Sequence, residues 1–411
     1  MRRILLLAAF MTTALCGAFA QGITTASISG LVADSKGAGL PGANVIAVHT
    51  PSGTQYGTST REDGRFTIPN ARVGGPYKLT VSFIGYENQE KNEVYLSLGN
   101  TSNVSFQMAE AGTQLEEVLV SGSRQSVMNP DRTGAATNVD NRTIQSVPTL
   151  NRGLRDFTKL SPLANTSGNG TSFAGSNNRY NQFAIDGLVN NDVFGLAASG
   201  TNGGQTGVEP ISLDAIEEFQ MNIAPYDVRQ GGFTGGGINA VTRSGSNTFQ
   251  GSAYYFGNNE SLVGGVNPNT DLDQDYPEYK DYQAGFRLGG PIIKNKLFFF
   301  VNGEITRQKT PLAFIPGTPE SNISLATMQS IESTLAALAP GYDPGEYLNI
   351  SDETNSDKIL AKIDWNINNN HKLSIRHSYT FGEQIDNSRS PNQARFYNNG
   401  LYFPSKTNST N

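Results

Sequence analysis

The sequence contains a single cysteine, Cys16, and three histidines among its 411 residues. Cys16 directly follows an apolar run at the start of the chain, so removal of this leader would leave a mature chain without thiols. Disulfide bonds and thiolate metal sites are then excluded. Stability must come from packing and from the pairing of strands.

Motifs for catalysis are missing as well. The sequence has no H-E-x-x-H or C-x-x-C pattern, no G-x-S-x-G elbow and no P-loop. The histidines are His49, His371 and His377, which we interpret as ordinary strand or surface residues. The last two are six residues apart, and we expect them on one side of the same strand. We therefore predict that the protein is not an enzyme and that it binds neither a cofactor nor a metal ion.

One acidic stretch has the opening spacing of a calcium loop, with Asp271, Asp273 and Asp275 at alternate positions. However, Tyr276 replaces the glycine required at the sixth position, and Tyr282 replaces the glutamate at the twelfth. The pattern favours a solvated acidic loop, and a loose calcium site on an external loop stays an open alternative.

Charge is scarce too. Only 16% of the residues are Asp, Glu, Lys or Arg, against about 25% in average soluble domains. Acidic residues outnumber basic ones, 36 to 30, which disfavours nucleic acid as a partner because phosphate binding requires an excess of basic side chains. In place of charge the chain has 45 glycines and many Asn, Ser and Thr residues, which are typical of turns. We therefore expect many short strands.

The start of the chain has the three parts of a signal peptide: two arginines, the apolar run Ile4–Leu15, and small residues at Ala18 and Ala20. We predict cleavage after Ala20. The run is too short for a membrane helix, which needs about 20 apolar residues. A lipoprotein signal ending at Cys16 is the alternative, but a leucine precedes this cysteine where a small residue is usual.

Residues 21–110 contain β-prone runs separated by Gly, Pro and Asp turns, which favours a β-sandwich. The runs are Ser27–Ala33, Asn44–His49, Gly57–Thr60, Arg65–Pro69, Tyr77–Phe83, Val94–Leu98 and Val104–Met108. The details Leu40–Val45, Glu62–Phe66 and Gly85-Tyr86 resemble the carboxypeptidase regulatory-like domain. That resemblance implies a non-catalytic, transthyretin-like sandwich, because the zinc-binding catalytic domain of carboxypeptidases has no counterpart here. A generic sandwich is the alternative.

Residues 111–123 form a linker with a short β-prone run, Glu116, Glu117, Val118, Leu119 and Val120. Such a run can add as a strand to the sheet edge of another protein. By its position after the sandwich it resembles the TonB box of TonB-dependent receptors, which an inner-membrane energy-transducing protein grips in this way. Considered alone, it would be an ordinary edge strand.

Residues 124–247 mix helical and strand signals around a Gly, Asn and Ser-rich middle. Phe183–Gly187 is typical of a buried strand that enters a tight turn. Together with Ile211–Met221 and Tyr226–Gly245 it resembles the plug domain of TonB-dependent receptors, in which an acidic strand and a glycine-rich turn lead into the barrel. Within that family, Asn190–Leu196 and Ala224–Arg229 are similar to the Oar-like subgroup. The resemblance implies a mixed α/β domain that fills a barrel.

Residues 248–411 alternate apolar and polar side chains in five runs, as transmembrane barrel strands do. The outward sets are Phe249 to Tyr255, Tyr282 to Leu288, Leu297 to Ile305, Ile359 to Ile367 and Leu373 to Phe381, and Leu401 to Phe403 begin a sixth strand. Phe298 and Phe300 break the polar side of the third strand. Aligned sandwiches alternate as well, but they lack the rhythm of long and short connections seen here.

The long connections are 257–280 and 308–356, and the second contains a helical stretch, Leu325–Leu338. The short ones are expected around Gly290-Pro291 and at Asn368–Asn370. A plug on the periplasmic side would place both long loops outside the cell. The family resemblance implies a 22-stranded plugged barrel, so we expect the sequence to be an N-terminal fragment.

The predicted fold class is therefore mainly β, with a transthyretin-like sandwich, a plug and the start of a transmembrane antiparallel barrel. The predicted function is TonB-dependent transport of an unidentified substrate across the outer membrane. The expected partners are a TonB-type protein, outer-membrane lipid and that substrate, with the sandwich and plug on the periplasmic side. A glycan importer paired with a surface lipoprotein and a non-transporting surface adhesin are the alternatives.

Overall fold

The computed structural model describes residues 23–111, 135–149, 152–166, 170–192, 194–195, 197, 199–223, 230–263, 278–368 and 371–411. Within these ranges, no helix combines the length and the apolar character needed to cross a membrane. The signal peptide, the proposed TonB box and the acidic stretch Asp271–Asp275 lie outside the described residues.

The N-terminal domain, residues 23–111, is a sandwich of two sheets. One sheet has the order β4-β1-β7 with β8 also pairing to β1, and the other has the order β3-β2-β5-β6. The strands are β1 Thr25–Ala33, β2 Asn44–His49, β3 Thr54–Ser59, β4 Arg65–Arg72, β5 Gly74–Ser82, β6 Gln89–Leu96, β7 Thr101–Asn103 and β8 Phe106–Gln107. Alternate residues point between the sheets, and a core including Ile28, Val45, Phe66 and Leu79 fills that space.

The last predicted strand of the sandwich, Val104–Met108, is divided in the structure. β7 and β8 both run parallel to β1, and between them the amide of Val104 donates to the carbonyl of Ser29 at 2.7 Å. The carbonyl of Val104 lies so close to Gly30 that a Cβ there would be 2.0 Å from it. The chain can make this close crossing because Gly30 has no side chain.

The central domain, residues 135–247, is built on a five-stranded sheet of order β13-β12-β15-β14-β9. Its β12–β15 pair is parallel, and its other pairs are antiparallel. The elements are β9 Ala135–Asp140, α1 Asn141–Ser146, α2 Leu154–Thr158, β10 Ala164–Asn165, β11 Ser172–Phe173, β12 Gln182–Ile185, β13 Leu188–Val189, β14 Ile216–Ile223 and β15 Gly236–Thr242. The predicted tight turn after Ile185 is present, with positive φ at Asp186 and Gly187.

The wall sheet follows, with six antiparallel strands in chain order from β16 to β21. Its elements are β16 Gln250–Asn259, α3 Glu260–Val263, β17 Lys280–Ile293, β18 Leu297–Pro311, α4 Leu325–Leu338, β19 Ser351–Asn366, β20 Lys372–Asp386 and β21 Leu401–Thr410. The helix α4 has the predicted bounds, and Ser324 caps it by accepting a hydrogen bond from the Thr327 amide.

The alternation predicted for the wall strands is present. On β19 the outward side chains are exposed and the inward ones are buried; the outward set is Ile359, Ile363 and Trp365, and the inward set is Lys358, Leu360 and Lys362. Phe298 and Phe300, which break the polar side of β18, are also buried. Phe300 and Leu360 belong to the hydrophobic core of the central domain, so that domain explains the inward-facing aromatic residues.

Two local predictions were wrong. The first short turn lies at residues 294–296, because β17 continues through Gly290-Pro291 to Ile293. The pairing of β16 with β17 ends at Gly289, so Pro291 lies where that side of β17 has no partner in this pairing and a missing amide hydrogen is tolerated. His371 lies in the turn before β20 rather than on a strand with His377.

Candidate functional site

A buried ion pair within the wall sheet is hydrogen-bonded to the central domain. Lys358 Nζ of β19 donates to Glu304 Oε1 of β18 at 2.7 Å. The other oxygen of Glu304 accepts from Ser212 Oγ of the central domain at 2.7 Å and from the Tyr254 hydroxyl at 2.5 Å. Because the buried Glu304 carboxylate accepts from three donors, one of them the Lys358 ammonium, this cluster can exist away from bulk water.

A second ionic contact is centred on Asp186, in the turn between β12 and β13. Its carboxylate accepts from the amide of Thr242 at 2.8 Å and from the Thr242 hydroxyl at 2.6 Å. From the wall, Arg376 Nη1 approaches it to 3.4 Å and Lys362 Nζ to 4.0 Å. The wall thus supplies cations, and the turn of the central domain supplies the anion.

A third contact pairs Asp214 of the central domain with two residues of the wall. Arg287 Nη1 lies 3.5 Å from Asp214 Oδ1, and Ser252 Oγ donates to Asp214 Oδ2 at 2.9 Å. A polar cavity of about 50 Å³ lies nearby, lined partly by Arg243 and Arg287. This volume has room for one or two water molecules but not for an organic cofactor.

The strand β14 is buried on both faces, and the two faces differ in chemistry. Phe219 and Met221 face the core of the central domain. Glu218, Gln220 and Asn222 face the other way and are also buried. A polar strand face that is covered in this way needs hydrogen-bonding partners.

The sandwich supplies those partners through the turn between β6 and β7. Leu98 in this turn donates its amide hydrogen to Glu218 Oε1 at 3.0 Å. The carbonyl of Leu98 accepts from Gln220 Nε2 at 2.7 Å and from Asn138 Nδ2 of β9 at 3.0 Å. We call Leu98, Asn138, Glu218 and Gln220 the Leu98 junction.

Burial raises the pKa of Glu218 to about 7, and the nearby carboxylates of Asp140 and Glu217 add to this effect. The hydrogen bonds from Asn138 and from the Leu98 amide act in the opposite direction. Burial therefore favours the protonated form of this carboxyl group more strongly than water does.

The sandwich also contacts the turns of the wall sheet. The amide of Asn247 donates to the carbonyl of Pro51 at 2.7 Å, and Asn366 Nδ2 donates to Thr54 Oγ1 at 2.9 Å. Lys372 lies over the ring of Tyr56, with Nζ 3.3 Å from the ring centre. The sandwich is therefore attached to both the central domain and the wall.

The predicted site residues lie outside the part of the chain that the structure describes. They are the proposed TonB box, Glu116–Val120, and the cleavage residues Ala18 and Ala20. Within those ranges, no cluster of three His, Cys, Asp or Glu side chains could hold a metal ion. His49 instead pairs its Nδ1 with Ser52 Oγ at 2.7 Å inside the sandwich.

Sequence reasoning missed the residues that connect the domains. Glu218 and Gln220 were recognised only as part of an acidic strand, and Leu98 only as the end of a β-run. The alternation of polar and apolar residues along β14 was a usable signal. It could not reveal that the polar face is buried, because the covering residue lies 120 positions away.

Comparisons with known proteins agree with this architecture. Residues 27–109 match the carboxypeptidase regulatory-like domain, and residues 241–325 match an outer membrane beta barrel domain. The chain is an outer-membrane protein. The predicted fold class and location are confirmed: the chain is mainly β, with an N-terminal sandwich and an open sheet of wall strands.

The chain is similar to the TonB-dependent transporter Oar of Myxococcus xanthus, with 28% identity over 298 residues. This match covers 69% of the outer-membrane chain but only 26% of the relative. The predicted resemblance to the Oar-like subgroup is thereby confirmed.

Two solved structures are also similar. The siderophore receptor PirA from Acinetobacter baumannii has 15% identity and a TM-score of 0.41, over 62% of this chain and 32% of that one. The outer membrane transporter YddB from Escherichia coli has 14% identity and a TM-score of 0.43, over 61% and 33% of the two chains. Likenesses of this strength carry no information about what the outer-membrane chain binds.

Proposed function

We propose that this chain is the N-terminal part of a TonB-dependent transporter, which moves a substrate across the outer membrane with energy from the inner membrane. The observation that carries the proposal is the shared core of the central domain and the wall. Phe300 and Leu360 of the wall pack into the central domain, and buried ion pairs flank this contact. A domain held against the inner face of a membrane sheet is suited to act as a plug.

The proposed organisation has five parts. Residues 1–20 form the signal peptide, 21–110 the regulatory-like sandwich, 111–123 the TonB-box linker, 124–247 the plug, and 248–411 the first barrel strands. The sandwich and the plug lie on the periplasmic side. The loop with helix α4, Leu325–Leu338, lies at the opposite ends of the wall strands from the turns that contact the sandwich, so we assign it to the cell surface.

The proposed TonB box consists of Glu116, Glu117, Val118, Leu119 and Val120. An inner-membrane energy-transducing protein binds this segment by strand addition, which draws its affinity from main-chain hydrogen bonds. The segment lies in the chain between Ala111, at the end of the sandwich, and Ala135, at the start of β9. A pull on the segment therefore reaches the plug through β9, the edge strand of its sheet.

A proline in the box tests this proposal. Proline has no amide hydrogen and cannot donate to a ladder between strands. We expect Val118→Pro in the complete receptor to abolish uptake of its substrate and to leave surface expression and substrate binding unchanged. The matched control is Val118→Thr, which keeps the amide and a β-branched side chain, and whose effect should be mild.

Normal uptake by the proline variant would contradict the assignment of the box and place the coupling strand elsewhere in the chain. Loss of surface expression in both variants would indicate a folding defect, and binding of a synthetic peptide of residues 113–123 to the transducer would then be measured directly. Absence of binding by the unmodified peptide would also contradict the assignment.

A further inference from the structure

The Leu98 junction connects three separate parts of the chain through the backbone of one residue. Leu98 belongs to the sandwich, Asn138 to β9, and Glu218 and Gln220 to β14. Asn138 Nδ2 donates to both the Leu98 carbonyl and Glu218 Oε1, at 3.0 and 2.8 Å. Its Oδ1 accepts from Gln220 Nε2 at 3.0 Å. The Asn138 side chain on β9 is thus hydrogen-bonded both to the sandwich and to the neighbouring strand β14.

An apolar contact supports these hydrogen bonds. The Leu98 side chain is fully buried with Ile23 and Val73 of the sandwich, and Val241 of β15 packs against this group. Sequestered from water, the hydrogen bonds of the junction are stronger than they would be at an exposed surface. Undocking of the sandwich would expose both the apolar group and the polar face of β14.

The contact between the sandwich and β9 is important because of where β9 lies in the central sheet. β9 is at the edge of the central sheet, and its ladder with β14 covers six residues. An edge strand with one neighbour is the part of a sheet that can leave with the smallest loss of hydrogen bonds. The sandwich contact adds a second attachment on the face of this strand.

We propose that the N-terminal sandwich is a clasp, which holds β9 in the central sheet through the Leu98 junction. While the sandwich is docked, the Leu98 junction holds β9 in the sheet; when it undocks, β9 is retained by its ladder with β14 and by the packing of Val139 in the core of the central domain. This inference rests on the proposed function in one respect, namely that the linker before β9 is where force is applied. The clasp itself is a property of the resting protein and is tested without the energy transducer.

Two glycines of the sandwich provide a matched pair of variants. Gly99 and Gly42 both have positive φ, +69° and +78°, so alanine causes similar backbone strain at each. A Cβ at Gly99 would lie 2.8 Å from Gln220 Oε1, whereas a Cβ at Gly42 meets nothing within 4 Å. Gly99→Ala therefore displaces the Gln220 amide from the junction, and Gly42→Ala strains the sandwich without touching the central domain.

Hydrogen exchange of backbone amides in the complete receptor, in detergent and without the transducer, measures how firmly β9 is held. We expect Gly99→Ala to speed exchange in β9 about tenfold, the factor that corresponds to the loss of roughly one hydrogen bond. Exchange in β12, on the far side of the sheet, should not change. Gly42→Ala should leave the exchange of both strands unchanged.

The clasp is overturned if Gly99→Ala leaves exchange in β9 unchanged, or if Gly42→Ala accelerates it equally. If Gly99→Ala also unfolds the sandwich, seen as fast exchange in β2 and β5, then Gln220→Ala disrupts the junction from the central domain. Slow exchange in β9 of that variant would overturn the clasp as well. Failure of the proline test at Val118 would leave these outcomes unaffected, so the two proposals fail separately.

Discussion

Glu304 and Lys358 form an ion pair of 2.7 Å between neighbouring wall strands, and their side chains are only 1% and 8% exposed. Ser212 of the central domain donates to the same carboxylate, so the pair is also a contact between domains. Removal of one partner from such a pair leaves an uncompensated charge, which costs more than the pair itself contributes.

Glu304→Leu should therefore lower the stability of the folded protein by about 3–5 kcal/mol. The measurement is the temperature at which the compact, heat-modifiable form is lost in detergent. The double variant Glu304→Leu with Lys358→Met should recover most of the loss, since no buried charge then remains unpaired.

The control for this prediction is the pair Arg307 and Asp357, also 2.7 Å apart but with side chains 32% and 40% exposed. Solvent screens this pair, so Asp357→Leu should cost less than about 1 kcal/mol. Equal losses of stability in Glu304→Leu and Asp357→Leu would show that burial of the ion pair does not determine the cost of breaking it.

Asp186 has two roles: it forms the turn after β12, and it supplies the negative charge that faces the wall. Different substitutions separate these roles. Its φ of +48° is a conformation that asparagine tolerates well and alanine does not. Asp186→Asn should therefore keep the turn and one oxygen that accepts from the Thr242 amide, but lose the second accepting oxygen and the charge that faces Arg376 and Lys362, at a cost of about 1–3 kcal/mol. Asp186→Ala also loses the bonds from Thr242 and should cost more. Equal stability of the two variants, in the same melting experiment, would contradict this separation.

The sandwich should fold as an isolated fragment of residues 21–111, because its core lies within its own two sheets. We expect a β-type circular dichroism spectrum and cooperative unfolding in urea. A random-coil spectrum would mean that the contacts of Leu98 and its neighbours with the central domain are required for folding.

Acid should destabilise that fragment through His49. Burial lowers the pKa of His49 to about 3, and the positive charges of Arg72 and Lys372 contribute. The unfolded chain binds the proton from about pH 6.5 downward, whereas the folded chain does not. Stability is therefore complete above pH 6.5 and falls as pH decreases toward 3, by about 2 kcal/mol between pH 6.5 and 5.

Urea unfolding of the fragment at several pH values measures how its free energy of unfolding depends on pH. His49→Gln should be less stable at neutral pH, because it loses the packing against Tyr77, but its stability should depend less on pH. Lys372 is absent from the fragment, so a somewhat smaller shift than in the complete chain is expected. If the free energy of unfolding depended on pH equally in the unmodified and the His49→Gln fragments, His49 would be excluded as the cause of the acid destabilisation.

Signal-peptide cleavage is the fifth prediction. Small residues at Ala18 and Ala20 fit the requirements of the processing enzyme. Sequencing of the exported protein should begin at Gln21, and Ala20→Arg should cause the precursor to accumulate. A lipid-modified Cys16 at the N-terminus would refute the assignment.

The sequence predicted the wall well because its faces follow a local rule. Side chains on a strand alternate between faces, so Ile359, Ile363 and Trp365 could be assigned outward from their spacing alone. The turn between Asp186 and Gly187 was predicted for the same reason, since small polar residues and glycine accept positive φ.

Local sequence rules of this kind could not predict the contacts between domains. Leu98 and Glu218 are 120 residues apart, and neither has a neighbour in sequence that indicates the other. Likewise, Phe300 contradicts the alternation of β18 until it is known to belong to the core of the central domain. The turn after β17 was misplaced because Pro291 usually ends a strand, and here the adjacent strand β16 had already stopped pairing.

The run Leu297–Val301 has consequences for how the protein is made. Five consecutive apolar residues without charge form a segment that pairs readily with other chains when it is exposed. Lipid can cover only its outward side, and the inward aromatic rings need the central domain. That domain precedes β18 in the chain, so export from the N-terminus, which the predicted signal peptide implies, would bring it to the periplasm before β18 and allow it to cover the inward rings. A delay in folding of the central domain would therefore appear as aggregation of the wall, even though every wall strand is intact.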